Sequence, residues 1–164
     1  MKGKKFLFLF LALLFPVVIF LFLKIFGKNE FEVAILHQDG PINSPSSCGA
    51  VYQTPYSVAD SLMKSIRGNG GDMLYVVYFD STLQTALNRI AYEFQRDPVR
   101  PVRLVDEAGG LDLDYWRRCI FLMEGTASIV LLDSNGRIRG YYDGEKREEI
   151  DRLMVEAEII LGRY

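Results

Sequence analysis

The sequence predicts an α/β domain in the order β-α-β-α-β-β-α, carried behind an N-terminal transmembrane helix. Three observations carry that prediction. Phe6 to Leu23 is an apolar run without a charge. Met73–Phe79 and Ser128–Leu132 are short continuous runs rich in β-branched, aromatic and leucine side chains, as strands covered on both faces should be. Between and after them, apolar residues recur at helical spacing.

The chain has 164 residues, enough for one ordinary domain and an appendage. The appendage comes first. Ile25 and Phe26 extend the apolar run past Lys24, and twenty residues at about 1.5 Å each match the hydrocarbon thickness of a bilayer. Lys2, Lys4 and Lys5 precede it, so the positive-inside bias predicts a cytoplasmic N-terminus and an extracytoplasmic remainder. A cleaved signal peptide shares the basic start. Its apolar region is usually about 7–15 residues and ends at a small-residue site. Here the run is longer and Lys24-Ile-Phe-Gly-Lys28 has no such site, so a retained anchor at Phe6–Phe26 in the cell (inner) membrane is expected. Pro16 is tolerable in a membrane helix.

Five of the 19 basic residues flank the anchor, leaving 14 against 21 acidic residues, all of them after Lys28. The exported part thus carries a net charge of −7, the wrong sign for nucleic acid. A protein partner at the membrane is the expected alternative.

The organisation expected is an anchor at 1–28, a tether at 29–71 and the folded domain at 72–164. In the tether, Phe31–Leu36 (FEVAIL) has the composition of a short strand, and the following residues to Tyr56 are dense in Gly, Pro, Ser and Asn. Val58–Ile66 has no decisive pattern. After the Met73–Phe79 strand, Leu83, Leu87, Ile90, Ala91 and Phe94 form one helical stripe that Asp97-Pro98 ends. Val102–Val105 is a short strand. Leu113, Trp116, Cys119, Ile120 and Met123 repeat the helical spacing until Gly125. Ser128–Leu132 is a buried strand, Asn135-Gly136 a hairpin signal, and Arg137–Tyr142 the returning strand. Ile150, Leu153, Met154, Ala157, Ile160 and Leu161 form the face of a last helix. A strand–helix–strand start implies a parallel pair, and the late hairpin adds an antiparallel edge. That order is the core of the thioredoxin fold.

The segment IVLLDSNGRIRGYYDGEKREEIDRL, Ile129–Leu153, resembles the C-terminal part of the Sco/SenC family, most closely over Leu131–Gly144. These are membrane-anchored, thioredoxin-like proteins that handle copper in cytochrome c oxidase assembly. The likeness extends over about two thirds of the chain, with its specific part in the C-terminal third and a shortened stretch between Pro98 and Gly125. The resemblance implies two cysteines after the first strand and a histidine before the third. Those positions fall on Thr82, Ala86 and Gly125, none of which can replace a soft ligand. It therefore implies a degenerate site: a non-enzymatic binding or assembly module without a cofactor, with a respiratory complex as the expected client. The alternative is a copper chaperone or thiol-disulfide oxidoreductase using the displaced ligands Cys48, Cys119 and His37.

Other side chains are chemically competent. Ser81 or Thr82 could be a nucleophile, but the one histidine lies in the tether, so capping of the helix is favoured. Met63, Met73 and Met123 could donate thioether sulfur, although strand and helix-stripe positions point to packing. Cys48 and Cys119, 71 positions apart, suit a structural disulfide better than a local catalytic dithiol, with free thiols the other option. Cys119 also shares an apolar helix face. Asp106, Glu107, Asp112 and Asp114 could hold a hard cation or simply be solvated. Tyr52, Tyr56, Tyr141 and Tyr142 could form an aromatic surface for a partner, or pack.

Overall fold

The computed structural model describes residues 2–26, 32–40, 48–49, 52–68, 70–104 and 112–162. The chain divides into two compact units, one around the N-terminal helix and one spanning Glu32–Arg163. Helix α1, Lys2–Phe26, contains Pro16. By length and composition its Gly3–Phe22 segment can cross a membrane, a property that signal sequences share. Its described apolar side chains, such as Phe8, Phe15 and Phe20, are all exposed within the chain. A helix apolar on every side has no polar face to offer water.

The second unit is a mixed α/β domain. Its elements are α2 (Asp60–Arg67), β1 (Leu74–Tyr78), a 3₁₀ turn (Ser81–Leu83), α3 (Gln84–Glu93), β2 (Val99–Arg103), the single turn α4 (Leu113–Tyr115), a π-helix (Trp116–Ile120), β3 (Ile129–Asp133), β4 (Ile138–Tyr142) and α5 (Arg147–Ile160). The four strands form one sheet in the order β2-β1-β3-β4. β1 and β2 are parallel, with Val76 opposite Pro101. β1–β3 and β3–β4 are antiparallel.

Strand alternation divides the core in two. Tyr75, Val77, Val130 and Leu132 face one layer, closed by Leu62, Met63 and Ile66 of α2 and by Phe121–Met123. Leu74, Val76, Ile129 and Leu131 face the other, closed by α3 and α5 through Leu87, Ile90, Ile150 and Leu153. A bulge interrupts the hairpin: Leu131 pairs with Gly140, but its neighbour Leu132 pairs with Ile138. The extra residue, Arg139, shifts side-chain parity. Ile138 consequently enters the first layer and Tyr142 the second.

Several expectations change. Residues assigned to the tether are structural: Tyr56, Val58, Leu62, Met63 and Ile66 are buried, and the undecided 58–66 stretch contains α2. The composition of 37–56 signals irregular backbone, and irregular backbone can still line a core. The FEVAIL strand is absent among the described residues 32–36. Instead Leu36 N–H donates to Ile138 O at 2.9 Å and Arg139 Nη2 donates to Val33 O at 2.6 Å, so this segment lies along the edge of β4. β2 begins earlier than expected, at Val99, and Val105 lies outside the described residues. Ala91 is exposed rather than part of the α3 stripe. The expected long helix from Leu113 is one α-turn followed by the π-helix, and it ends at Ile120, before Gly125. Met73 precedes β1 and is 50 % exposed, so it is not a core residue.

Candidate functional site

The strand-to-helix junction after β1 is built from backbone capping. Asp80 is extended (φ −99°, ψ 133°) and its Oδ1 accepts from Thr82 N–H at 2.8 Å. The cap is thus Asp80, not Ser81 or Thr82, because a residue caps through an acceptor reaching a free N–H two or three positions ahead. Hydrogen bonds from the Thr82 backbone and then its hydroxyl hold the Asp80 carboxyl below its ordinary range, with Arg103 and Arg117 assisting. Thr82 is exposed, Ala86 half-buried on α3, and Gly125 sits at φ +61° in the turn preceding β3.

Beside this junction lies a hollow of about 260 Å³ lined by Asp80, Leu83, Thr126, Ser128, Asp143 and Glu145. Its polar atoms are all oxygens or backbone. Ser128 Oγ accepts from Gly144 N–H at 2.8 Å, tying the Asp143-Gly144 end of the hairpin motif to the start of β3. Asp143 pairs with Lys146 at 3.0 Å. That hydrogen bond, then those from Glu145 N–H and Thr126, hold its carboxyl below the usual range. Soft-metal or thiol chemistry has no atom to work with here.

The sulfur is elsewhere. Cys48 and Cys119 form a disulfide with Cα atoms 5.5 Å apart. Both residues are buried, so Cys119 is a packing residue and a bridge residue at once. It lies near the C-terminal end of the π-helix.

Three tyrosines converge on the same turn. Tyr52 Oη donates to Cys119 O at 3.2 Å, Tyr56 Oη to Ile120 O at 2.5 Å, and Tyr141 Oη to Phe121 O at 2.7 Å. Terminal helix carbonyls lack intrahelical partners, and these hydroxyls supply them. Burial, with Tyr52 and Tyr115 nearby, pushes the Tyr56 phenol up to about 12, so it stays a donor. His37 Nε2 lies 3.0 Å from Tyr141 Oη. Because that hydroxyl gives its proton to a carbonyl, His37 is the donor and carries its proton on Nε2. Tyr142 is fully buried, donates to Glu156 Oε2 at 2.5 Å and lies under Arg152. Tyr56, Tyr141 and Tyr142 are therefore packed inward rather than displayed as an aromatic surface.

Among the described residues, no three His, Cys, Asp or Glu side chains are grouped to hold a metal ion. Of the acidic loop candidates, Asp106 and Glu107 lie outside the described residues, Asp112 caps α4 by accepting from Tyr115 N–H at 3.0 Å, and Asp114 is exposed in its first turn. Met63 and Met123 are core residues. The tyrosine-capped carbonyls escaped sequence reasoning; the only signal was the pairing of Tyr52 and Tyr56 with a nearby cysteine. Comparison of the chain with family models, curated proteins and solved structures finds no match.

Proposed function

We propose that the chain is a membrane-anchored, extracytoplasmic thioredoxin-like protein of Sco/SenC type that works as a non-catalytic binding or assembly module, serving biogenesis of a respiratory oxidase. In this reading α1 is a single-pass anchor with a cytoplasmic N-terminus, and a protein at the membrane is the partner. The observation that carries the reading is the junction after β1. Thr82 and Ala86 stand one helical turn apart where the family has thiols, the adjoining hollow offers only oxygen, and both cysteines are committed to a bridge.

Two further features support descent. The strand order β2-β1-β3-β4, with its single parallel pair at β1–β2, is the order that a thioredoxin-like core requires. The glycines of the hairpin motif are needed where they stand. A Cβ on Gly136 (φ +75°) would meet Val58 O and Met63 Cγ at 3.0 Å each.

A graft tests the reading. Thr82→Cys, Ala86→Cys and Gly125→His, made together in the full-length chain, should create a Cu(I) site where the family has one. Retention of one Cu(I) by the folded triple variant, against none by the parent, is the expected result. A folded variant that holds no copper would remove the claim of descent.

A further inference from the structure

The disulfide and the π-helix meet at one residue, Cys119. We propose that the Cys48–Cys119 bridge is a redox latch: reduction by a dithiol frees residues 52–58 from the Cys119 and Ile120 carbonyls and lets the 116–120 turn change register, while the sheet stays folded. This goes beyond the assembly-module reading and does not depend on it.

The turn is held in an uncommon register. Phe121 N–H donates to Trp116 O at 2.9 Å, five residues back, and Met123 N–H to Arg117 O at 2.8 Å, six residues back. In an α-helix Phe121 N–H would bond to Arg117 O instead, so two registers compete for that carbonyl. A π-turn is the rarer form and needs outside support. Its support here is external: Tyr52, Tyr56 and Tyr141 on three successive carbonyls, and the bridge on Cys119.

Part of that support comes from the arm that precedes α2. Tyr52 and Tyr56 belong to the arm that Cys48 ties down. Residues 52–59 contain no helix or strand. The backbone of 52–58 bonds to other segments through Tyr56 N–H to His37 O at 3.1 Å and Val58 N–H to Gly136 O at 2.9 Å. Tyr56 and Val58 also pack into the first layer, but most of the contacts that hold the sheet are elsewhere. Its ladders run strand to strand, and α3 and α5 close its other face. Loosening the arm and loosening the sheet are separable events.

A groove of about 410 Å³, bordered by Tyr52, Tyr56, Ala59, Asp60, Cys119 and Ile120, runs beside the bridge. In the reaction, one thiolate of the reductant attacks a bridge sulfur, the Cys48–Cys119 bond breaks, and the other cysteine leaves as a thiolate that takes up a proton. The second thiol of the reductant then attacks the mixed disulfide. The reductant departs as a disulfide, and two electrons and two protons stay on the cysteines.

The test is hydrogen–deuterium exchange of the full-length chain in detergent micelles, oxidised and with dithiothreitol, alongside the Cys48→Ser/Cys119→Ser variant. Peptides covering 52–58 and 116–123 should exchange at least about tenfold faster in the reduced chain and in the variant, with β1 and β3 still protected. Dithiothreitol should add nothing to the variant. In the oxidised chain, Tyr56→Phe should speed exchange at 116–123 with the bridge intact. Unchanged exchange at 52–58 on reduction would overturn the latch. So would loss of protection in β1 and β3 together with the arm, because the bridge would then staple the whole domain. No effect of Tyr56→Phe would overturn the role given to the tyrosine hydroxyls.

Discussion

Gly140 is where the hairpin motif meets the core. A Cβ there would collide with the Tyr142 hydroxyl and come within 2.7 Å of its ring carbon Cζ. Tyr142 is fully buried and its hydroxyl is engaged with Glu156, so the ring cannot simply swing away. Gly140→Ala should therefore cost about 1–3 kcal/mol, read as a lower urea midpoint. The requirement for a small residue was legible in the sequence as a glycine between strand residues. The close approach was not: Tyr142 shares the face two residues on, as strand alternation requires, but the fold shows its ring lying back over Gly140 with the hydroxyl held by Glu156. His37 makes a second prediction at this scale. Burial lowers its pKa from 6.5, with Glu124 partly opposing. The unfolded chain then takes up the proton first, so stability contributed by neutral His37 is complete above about pH 6.5 and is lost as pH falls through the folded value. His37 has φ +57°, which asparagine tolerates. Between pH 7 and 5.5, wild type should lose more urea resistance than His37→Asn; equal losses would contradict this account of the histidine.

Among elements, the bridge is the strongest constraint. It closes a loop of 71 positions, so in the chain-entropy account its removal can cost up to about 4 kcal/mol. That figure assumes an unchanged native state. An arm that gains freedom when the bridge opens returns part of the entropy, so Cys48→Ser/Cys119→Ser should lose clearly less than this limit in chemical denaturation, with the sheet retained by circular dichroism. β1 and β3 were legible as short continuous apolar runs, and α5 as a stripe at helical spacing. The 113–123 stretch was not. Its stripe of Leu113, Trp116, Cys119, Ile120 and Met123 reads as one α-helix, yet it contains a π turn whose last carbonyls accept hydroxyls from residues 52, 56 and 141. Such partners, 20 to 67 positions away, leave no local trace in the pattern. The same holds for 48–58, whose turn-rich composition resembles a linker although Tyr56 and Val58 help fill the core.

At the scale of the molecule, the apolar α1 and the oxygen-lined junction after β1 set what the chain can do. A helix with no polar face predicts that the protein sediments with membranes and stays there after carbonate washing, whereas a chain cleaved behind α1 would be released. The absence of sulfur at the junction was legible directly, from Thr82 and Ala86. The role of Asp80 as the cap, and the Thr126, Ser128 and Asp143 side chains around it, required the fold, since they come from three separated segments. The proposed module acts without copper. Cu(I) stoichiometry of the full-length chain in detergent, reduced and anaerobic, beside Cys48→Ser/Cys119→Ser, tests it most directly. A folded sample retaining no copper in either form is the predicted result. One equivalent held by the parent and lost in the double variant would contradict it and establish Cys48 and Cys119 as a relocated copper site.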